Sequence, residues 1–144
     1  MSGTQMGKSV EISSRILAEI AAEAASIEDR EICGLLFGDD DRITAHIRCA
    51  NVAAEPERRF EIDPAALIAA YRAERGGGAR IIGCYHSHPS GDPAPSRTDA
   101  ADAVTEGWIW LIAGGGPIRG WRVVAGGERH ERFDPVDLRP IDAM

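Results

Sequence analysis

Apolar residues recur at every third or fourth position within residues 16–24. This spacing places them on one side of a helix. Ser13 or Ser14 supplies a side-chain oxygen for the free N–H groups at the start of that helix. The pattern therefore predicts a helix that ends near Ser26. Two further helices are predicted, one from Asp63, with Pro64 in its first turn, to about Arg75, and one from Ser96 to about Glu106.

Residues 42–52 alternate between apolar and polar side chains, which is typical of a half-buried strand. One set is predicted to face the core: Ile43, Ala45, Ile47 and Cys49. His46 belongs to the other set and is expected to be solvated. Other short apolar segments predict strands near 9–12, 31–37, 60–62, 80–88, 108–113, 118–124 and 128–133. Together these elements predict the α+β class, with two or three helices packed on a mainly antiparallel twisted sheet.

The chain of 144 residues is the size of one domain, and 44% apolar with 27% charged residues is typical of a globular one. We expect a flexible polar tail at 1–9, one domain at 10–133 and an irregular tail at 134–144, where two prolines occur. The first residues lack the apolar stretch of a signal peptide, and no apolar run is long enough to span a bilayer. A cytoplasmic protein without membrane contact is therefore predicted.

Charge and cysteine content narrow the possible partners. The formal net charge of −7 disfavours nucleic acid and anionic membranes. The three cysteines (Cys33, Cys49 and Cys84) are odd in number and contain no C-x-x-C pair, so a disulfide framework is not expected and a reducing compartment is favoured. Cys84 is interpreted as a small buried apolar residue.

Candidate chemistry follows the strand predicted at 80–88. His86 and His88 are two residues apart, so both imidazoles face the same side of a strand. Ser96 and Asp99, three residues apart at a helix start, share one helix face. Two imidazoles and a carboxylate form a three-ligand set that leaves a position on zinc for water. The two histidines and the Ser-x-x-Asp pattern each also have an explanation without a metal. Two histidines can share a strand face by chance, and Ser-x-x-Asp is a common helix start.

The run H-S-H-P-S-G-D-P-A-P-S-R-T-D, residues 86–99, fits H-x-H-x7-S-x2-D without a gap. It resembles the JAMM metalloprotease motif of the MPN (Mov34/PAD-1) family. Upstream, E-I-C-G-L-L-F-G, residues 31–38, resembles the segment of that family that carries a glutamate before a glycine-rich apolar stretch. The resemblance extends from about Val10 to Phe133 and implies an MPN/JAB1-like fold with cytidine-deaminase-like architecture.

The resemblance implies a role for each matching residue. His86, His88 and Asp99 would bind one Zn²⁺ per chain, Glu31 would act as general base, and Ser96 would stabilise the oxyanion. From the residues alone, Glu31 is not distinguishable from Glu28, Glu55, Glu57 or Glu61. His130 lies in a charged segment and is expected to be solvated.

The implied activity is a zinc-dependent isopeptidase or peptidase that hydrolyses the bond after the C-terminal Gly-Gly of a ubiquitin-like or sulfur-carrier protein. The short chain resembles the compact stand-alone prokaryotic members, acting as a monomer or homodimer. Two alternatives remain open. The loop at 89–96 also resembles the RadC group, an MPN branch linked to DNA repair. A non-catalytic, zinc-stabilised binder of ubiquitin-like proteins is the other.

Overall fold

The computed structural model describes residues 9–142, which contain three helices and seven strands. The helices are α1 (Ser14–Ser26), α2 (Pro64–Arg75) and α3 (Arg97–Asp102). The strands are β1 (Ser9–Ser13), β2 (Cys33–Asp39), β3 (Arg42–Cys49), β4 (Ile81–Ser87), β5 (Ile109–Ala113), β6 (Arg119–Gly127) and β7 (Glu131–Ile141). Of the predicted N-terminal tail, all but Ser9 lies outside the described residues.

The strands close into a ring in the order β1-β3-β2-β4-β5-β6-β7, with β7 pairing back onto β1. The pairs β2–β3, β2–β4, β5–β6 and β6–β7 are antiparallel, whereas β1–β3, β1–β7 and β4–β5 are parallel. The predicted α+β class is confirmed. Strand β4, which carries His86, lies between β2 and β5 and is buried along its whole length.

All three helices begin at the predicted caps, Ser13, Asp63 and Ser96. The third helix, however, ends at Asp102 rather than near Glu106. Ala103 adopts an extended conformation and is buried in the core. The helix therefore ends where the extended backbone buries Ala103, and the chain turns before β5 begins.

The irregular tail predicted from residue 134 is wrong over residues 134–141, which form most of β7. Val136 and Leu138 are half-buried and pack on the core, while Pro135, Asp137 and Arg139 are exposed. This alternation is that of a strand. Pro135 and Pro140 each remove only one backbone donor, so they do not prevent pairing with β6 and β1.

The alternation predicted for β3 is wrong in its middle. A register shift opposite Phe37 and Gly38 leaves Thr44 unpaired and interrupts the alternation from Ala45 to Arg48, whereas Ile43 and Cys49 are buried as predicted. Ile47 is consequently 44% exposed. The His46 side chain is only 10% exposed and contacts Glu19 of α1, so the expectation that it is solvated is also wrong.

Three apolar clusters hold the helices to the sheet. One joins α1 to the strands through Ile16 and Ile20, and another packs α2 through Ala70. The third surrounds Trp110 and Phe133, beside the end of β4 that carries the histidines. Within residues 9–142, no helix has the length and apolar content to cross a bilayer.

Candidate metal centre

The end of β4 and the start of α3 bring three ligand-type side chains together. The Nε2 atoms of His86 and His88 are 3.1 Å apart. The Asp99 Oδ2 atom lies 3.3 Å from the first nitrogen and 3.1 Å from the second. Ligands at roughly 2.0–2.1 Å from a tetrahedral zinc ion are roughly 3.3–3.4 Å from one another. The three atoms are therefore spaced as ligands of a single small cation.

The backbone of α3 holds Asp99 in place. Its Oδ2 atom accepts a hydrogen bond from the backbone N–H of Ser96 at 3.0 Å. In return, the Ser96 hydroxyl oxygen accepts from the backbone N–H of Asp99 at 3.0 Å. This capping box fixes the carboxylate at the helix start.

His88 is held in one tautomer by the loop that follows it. Its Nδ1 atom is 2.7 Å from the carbonyl oxygen of Asp92. Because a carbonyl oxygen only accepts, Nδ1 carries the hydrogen and the Nε2 of the neutral ring keeps a free lone pair. Metal-binding histidines are commonly oriented by such a bond on the opposite ring nitrogen. The indole N–H of Trp121 donates to the carbonyl of Pro93 at 3.0 Å and anchors the same loop.

Burial and neighbouring charges set the protonation of the cluster. Burial lowers the pKa of His86, which favours the neutral ring that a metal ion needs. Burial by itself raises the pKa of Asp99, but the neighbouring imidazoles, His86 first, and the hydrogen bond from the Ser96 N–H hold that pKa well below its usual range. Asp99 therefore remains an anion.

Glu31 lies just before β2 and is 3% exposed. One carboxylate oxygen lies in a group with a nitrogen of His86 and of His88 in which all distances are within 4.8 Å. Its Oε1 atom is buried and has no hydrogen-bond partner among the described residues. Burial raises the pKa of Glu31 to about 7, although His88 opposes the shift. The carboxylate lies beside the imidazoles, and it can exchange a proton near neutral pH.

Three neighbours that position the site carry no motif that would have revealed them. The Asn51 side chain donates to the Glu31 carbonyl at 2.9 Å and to the Arg59 carbonyl at 3.1 Å. Phe60 stacks on the His86 ring, with the centroids 4.2 Å apart. Ser87, between the two histidines, accepts a hydrogen bond from the Ile32 N–H at 2.9 Å and ties the Glu31 segment to β4.

The remaining candidates lie outside this cluster. Cys84 is buried in the apolar cluster around Trp110, and burial raises the pKa of its thiol, so it is not a nucleophile. His130 is exposed as expected, and its ring nitrogen lies 3.0 Å from the Pro95 carbonyl oxygen.

Two clefts adjoin the site. The first, of about 490 Å³, lies between the C-terminal half of α1 and the Gly114–Gly116 loop and reaches His88. The second, of about 500 Å³, reaches Glu31 and is lined by Arg30 and Arg48 among other residues. The two clefts have His88 and Glu31 in their respective linings.

Several known proteins resemble this chain in sequence. Residues 13–124 match the family model described as prokaryotic homologs of the JAB domain. A desampylase from Haloferax volcanii is 36% identical over 114 residues, which are 78% of this chain and 82% of that protein. A probable TtuB-protein conjugate cleaving protease from Thermus thermophilus is 32% identical over 88 residues, which are 61% of this chain and 59% of that protein.

The fold is that of JAB1/MPN domains. A JAB1/MPN domain protein from Archaeoglobus fulgidus superposes with a TM-score of 0.60 at 21% identity, covering 94% of this chain and 100% of the other. The chain belongs to the prokaryotic homologues of the JAB domain, as the family model and the Haloferax relative show. The expected membership in the JAMM/MPN family is thereby confirmed.

Proposed function

We propose that the protein is a zinc-dependent isopeptidase that hydrolyses the bond after the C-terminal Gly-Gly of a ubiquitin-like or sulfur-carrier protein. The observation that carries this proposal is the convergence of His86 Nε2, His88 Nε2 and Asp99 Oδ2 within 3.1–3.3 Å. The buried carboxylate of Glu31 lies beside them.

His86, His88 and Asp99 would hold the zinc ion. Two neutral imidazoles and one carboxylate are a donor set that zinc enzymes use, and three protein ligands leave a coordination position open. When bound, the ion supplies Lewis acidity and makes the attacking water more acidic. The hydrogen bond from His88 to Asp92 keeps this donor set in the correct tautomer before any metal arrives.

Glu31 would act as general base and then as general acid. Its Oε1 atom is buried, has no hydrogen-bond partner in residues 9–142, and is available to accept the proton of the attacking water. A pKa of about 7 allows the same group to return that proton to the departing amine. The backbone of Glu31 is anchored by its N–H, which donates to the Pro56 carbonyl at 2.8 Å, and by Asn51.

Ser96 would stabilise the oxygen of the scissile carbonyl. Its hydroxyl oxygen accepts the Asp99 N–H and thereby keeps its own hydrogen for another partner. The residue is only partly buried and directly precedes α3, so a substrate oxygen can reach it. A donor aimed at the developing negative charge is worth roughly 10²–10³ in rate.

The relatives support the substrate class. One is named desampylase and another a TtuB-protein conjugate cleaving protease, and both names describe removal of a conjugated protein. A C-terminal Gly-Gly fits this site because residues without side chains can approach the buried cluster closely. Conjugates of a small protein with such a tail are therefore the substrates to test.

The test uses the full chain with conjugates of Gly-Gly-ended ubiquitin-like and sulfur-carrier proteins, and mass spectrometry to locate the cut. We expect cleavage directly after Gly-Gly, loss of cleavage in a strong chelator, and recovery on adding zinc. Glu31→Gln should keep the metal and lose nearly all turnover, whereas the exposed Glu57→Gln should behave as wild type. If the zinc-loaded protein binds the conjugate stably without cleaving it, the proposed activity is contradicted and the protein is a non-catalytic binder.

A further inference from the structure

The cleft beside Glu31 has a basic wall in an acidic protein. Its lining includes Arg30 and Arg48, with Ile27, Ile32, Cys49 and Ala50 forming an apolar floor. The whole chain carries a formal charge of −7, so two arginines in one cleft form a local exception. Because both arginines line the cleft next to the proposed general base, a substrate that reaches Glu31 through this cleft passes them.

Neither arginine is fully engaged within the protein. Arg48 is exposed and forms no ion pair within residues 9–142. Arg30 faces only its neighbour Asp29 at 3.7 Å, with side chains that are 56% and 81% exposed. Exposed pairs of this kind contribute little. Both guanidinium groups are therefore available to an acidic ligand.

The same cleft borders an open strand edge. Strand β1 pairs only with Arg42 and Ile43 of β3, so residues 44–49 have no neighbouring strand on that side among the described residues. Peptides in extended conformation bind such edges through backbone hydrogen bonds. A tail that ends in Gly-Gly offers mainly its backbone for recognition. The edge and the cleft therefore suit one occupant, an extended C-terminal tail.

The register of the strands places Arg48 upstream of the cut. The ladder pairs Gly34 with Arg48 and ends at Cys33 and Cys49. Beyond it the Asn51 side chain donates to the Glu31 carbonyl, so Glu31 lies at the level of Asn51, three residues beyond Arg48. At about 3.3 Å per residue, this separation is roughly 10 Å. A tail whose last glycine lies at the level of Glu31 would bring the residues just before Gly-Gly to Arg48, and Arg30 lines the same cleft next to Glu31.

We propose that Arg30 and Arg48 select substrates whose tail carries an acidic residue in the one or two positions directly before Gly-Gly. This proposal rests on the proposed function, since it assigns specificity within the same site. Acidic side chains would pair with the guanidinium groups, and basic ones at the same positions would be repelled. The selectivity concerns the ubiquitin-like partner and not the amine that departs.

The experiment compares three conjugates that are identical except for glutamate, alanine or arginine at the two positions before Gly-Gly. For the zinc-loaded wild type we expect kcat/KM for the glutamate tail to exceed that for the arginine tail about tenfold, mainly through KM, and the difference to shrink at high salt. Arg30→Glu with Arg48→Glu should reverse the order. Arg139→Glu, an exposed charge change at the far end of β7, should leave it unchanged.

The outcomes separate the two proposals. Cleavage of the alanine tail tests the proposed function alone, because no charge at those positions is involved. If all three tails are cleaved equally, or if the double variant keeps the wild-type order, the role of Arg30 and Arg48 is refuted while the enzyme remains.

Discussion

Ser96 and Asp99 hold one another through two reciprocal hydrogen bonds of 3.0 Å each, from the backbone N–H of each residue to the side chain of the other. The Asp99 carboxylate oxygen in this pair also faces both imidazoles. The start of α3 and the metal centre are therefore one structure, and a change at Ser96 acts on both.

Ser96→Ala should keep the metal and slow the chemistry about 10²–10³-fold. It should also cost about 1 kcal/mol of stability, because the Asp99 N–H loses its cap. Ser13→Ala is the matched control, since Ser13 caps α1 by accepting from the Arg15 N–H at 3.1 Å. The Ser13→Ala variant should lose a similar amount of stability but keep full activity. Equal turnover rates in both variants would show that Ser96 does not take part in the reaction.

His88→Ala should abolish tight zinc binding, because the remaining imidazole and carboxylate offer too few ligands. Elemental analysis of purified protein should give about one zinc per chain for wild type and close to none for the variant. His130→Asn serves as control, since His130 is exposed and bonds only to the Pro95 carbonyl within the described residues. A wild type that stays free of metal in zinc-replete medium would contradict the assignment.

Phe60→Ala should weaken zinc binding about tenfold without abolishing it. The Phe60 ring covers His86 at 4.2 Å with an interplanar angle of 22°, so its removal admits water and frees the imidazole to rotate. Phe60→Leu, which keeps an apolar cover, should lie between the variant and wild type. Competition with a chromophoric chelator measures the affinities. If both variants bind zinc with the wild-type affinity, Phe60 contributes to core packing but does not position His86.

In the metal-free protein, Glu31→Gln should become more stable relative to wild type as the pH rises. The pKa of Glu31 is raised from 4.5 to about 7 by burial, so the folded state binds more protons than the unfolded state between these values. Wild-type stability from this group is therefore lost as pH rises from about 4.5 to 7. Denaturant unfolding at pH 5 and pH 8 should reveal a difference on the order of 2 kcal/mol. A pH-independent difference would contradict the raised pKa.

Gly34→Ala should destabilise the fold severely, by about 3 kcal/mol or more. A Cβ there would collide with the Ile47 carbonyl oxygen and the Tyr85 ring, both of which are fixed in the sheet. Gly116→Ala, where a Cβ meets nothing within 4 Å, is the control for stability. Thermal unfolding of both variants measures the difference. A mild effect at Gly34 would mean that both the β3 backbone at Ile47 and the Tyr85 ring can shift.

Local patterns are sufficient for the starts of the helices and for the histidine strand, but not for the end of α3. The caps at Ser13, Asp63 and Ser96 depend on residues within one turn, and the pairing of His86 with His88 depends only on the period of a strand. The prediction of an irregular tail is wrong because the two prolines of this segment are typical of loops, and its short alternation of apolar and polar residues is a weak signal. The segment is a strand because it pairs with β1 and β6.

The sequence by itself determined which residue types were available for a metal centre, and its resemblance to the MPN family supplied the choice of Glu31. Only the tertiary structure decided that these residues meet, because Glu31 and His88 are 57 positions apart and are brought together by the pairing of β2 with β4. The supports Asn51, Phe60 and Ser87 could not be predicted, since each acts through contacts between distant segments. The burial that raises the pKa of Glu31 is likewise a property of the folded chain and of no local pattern.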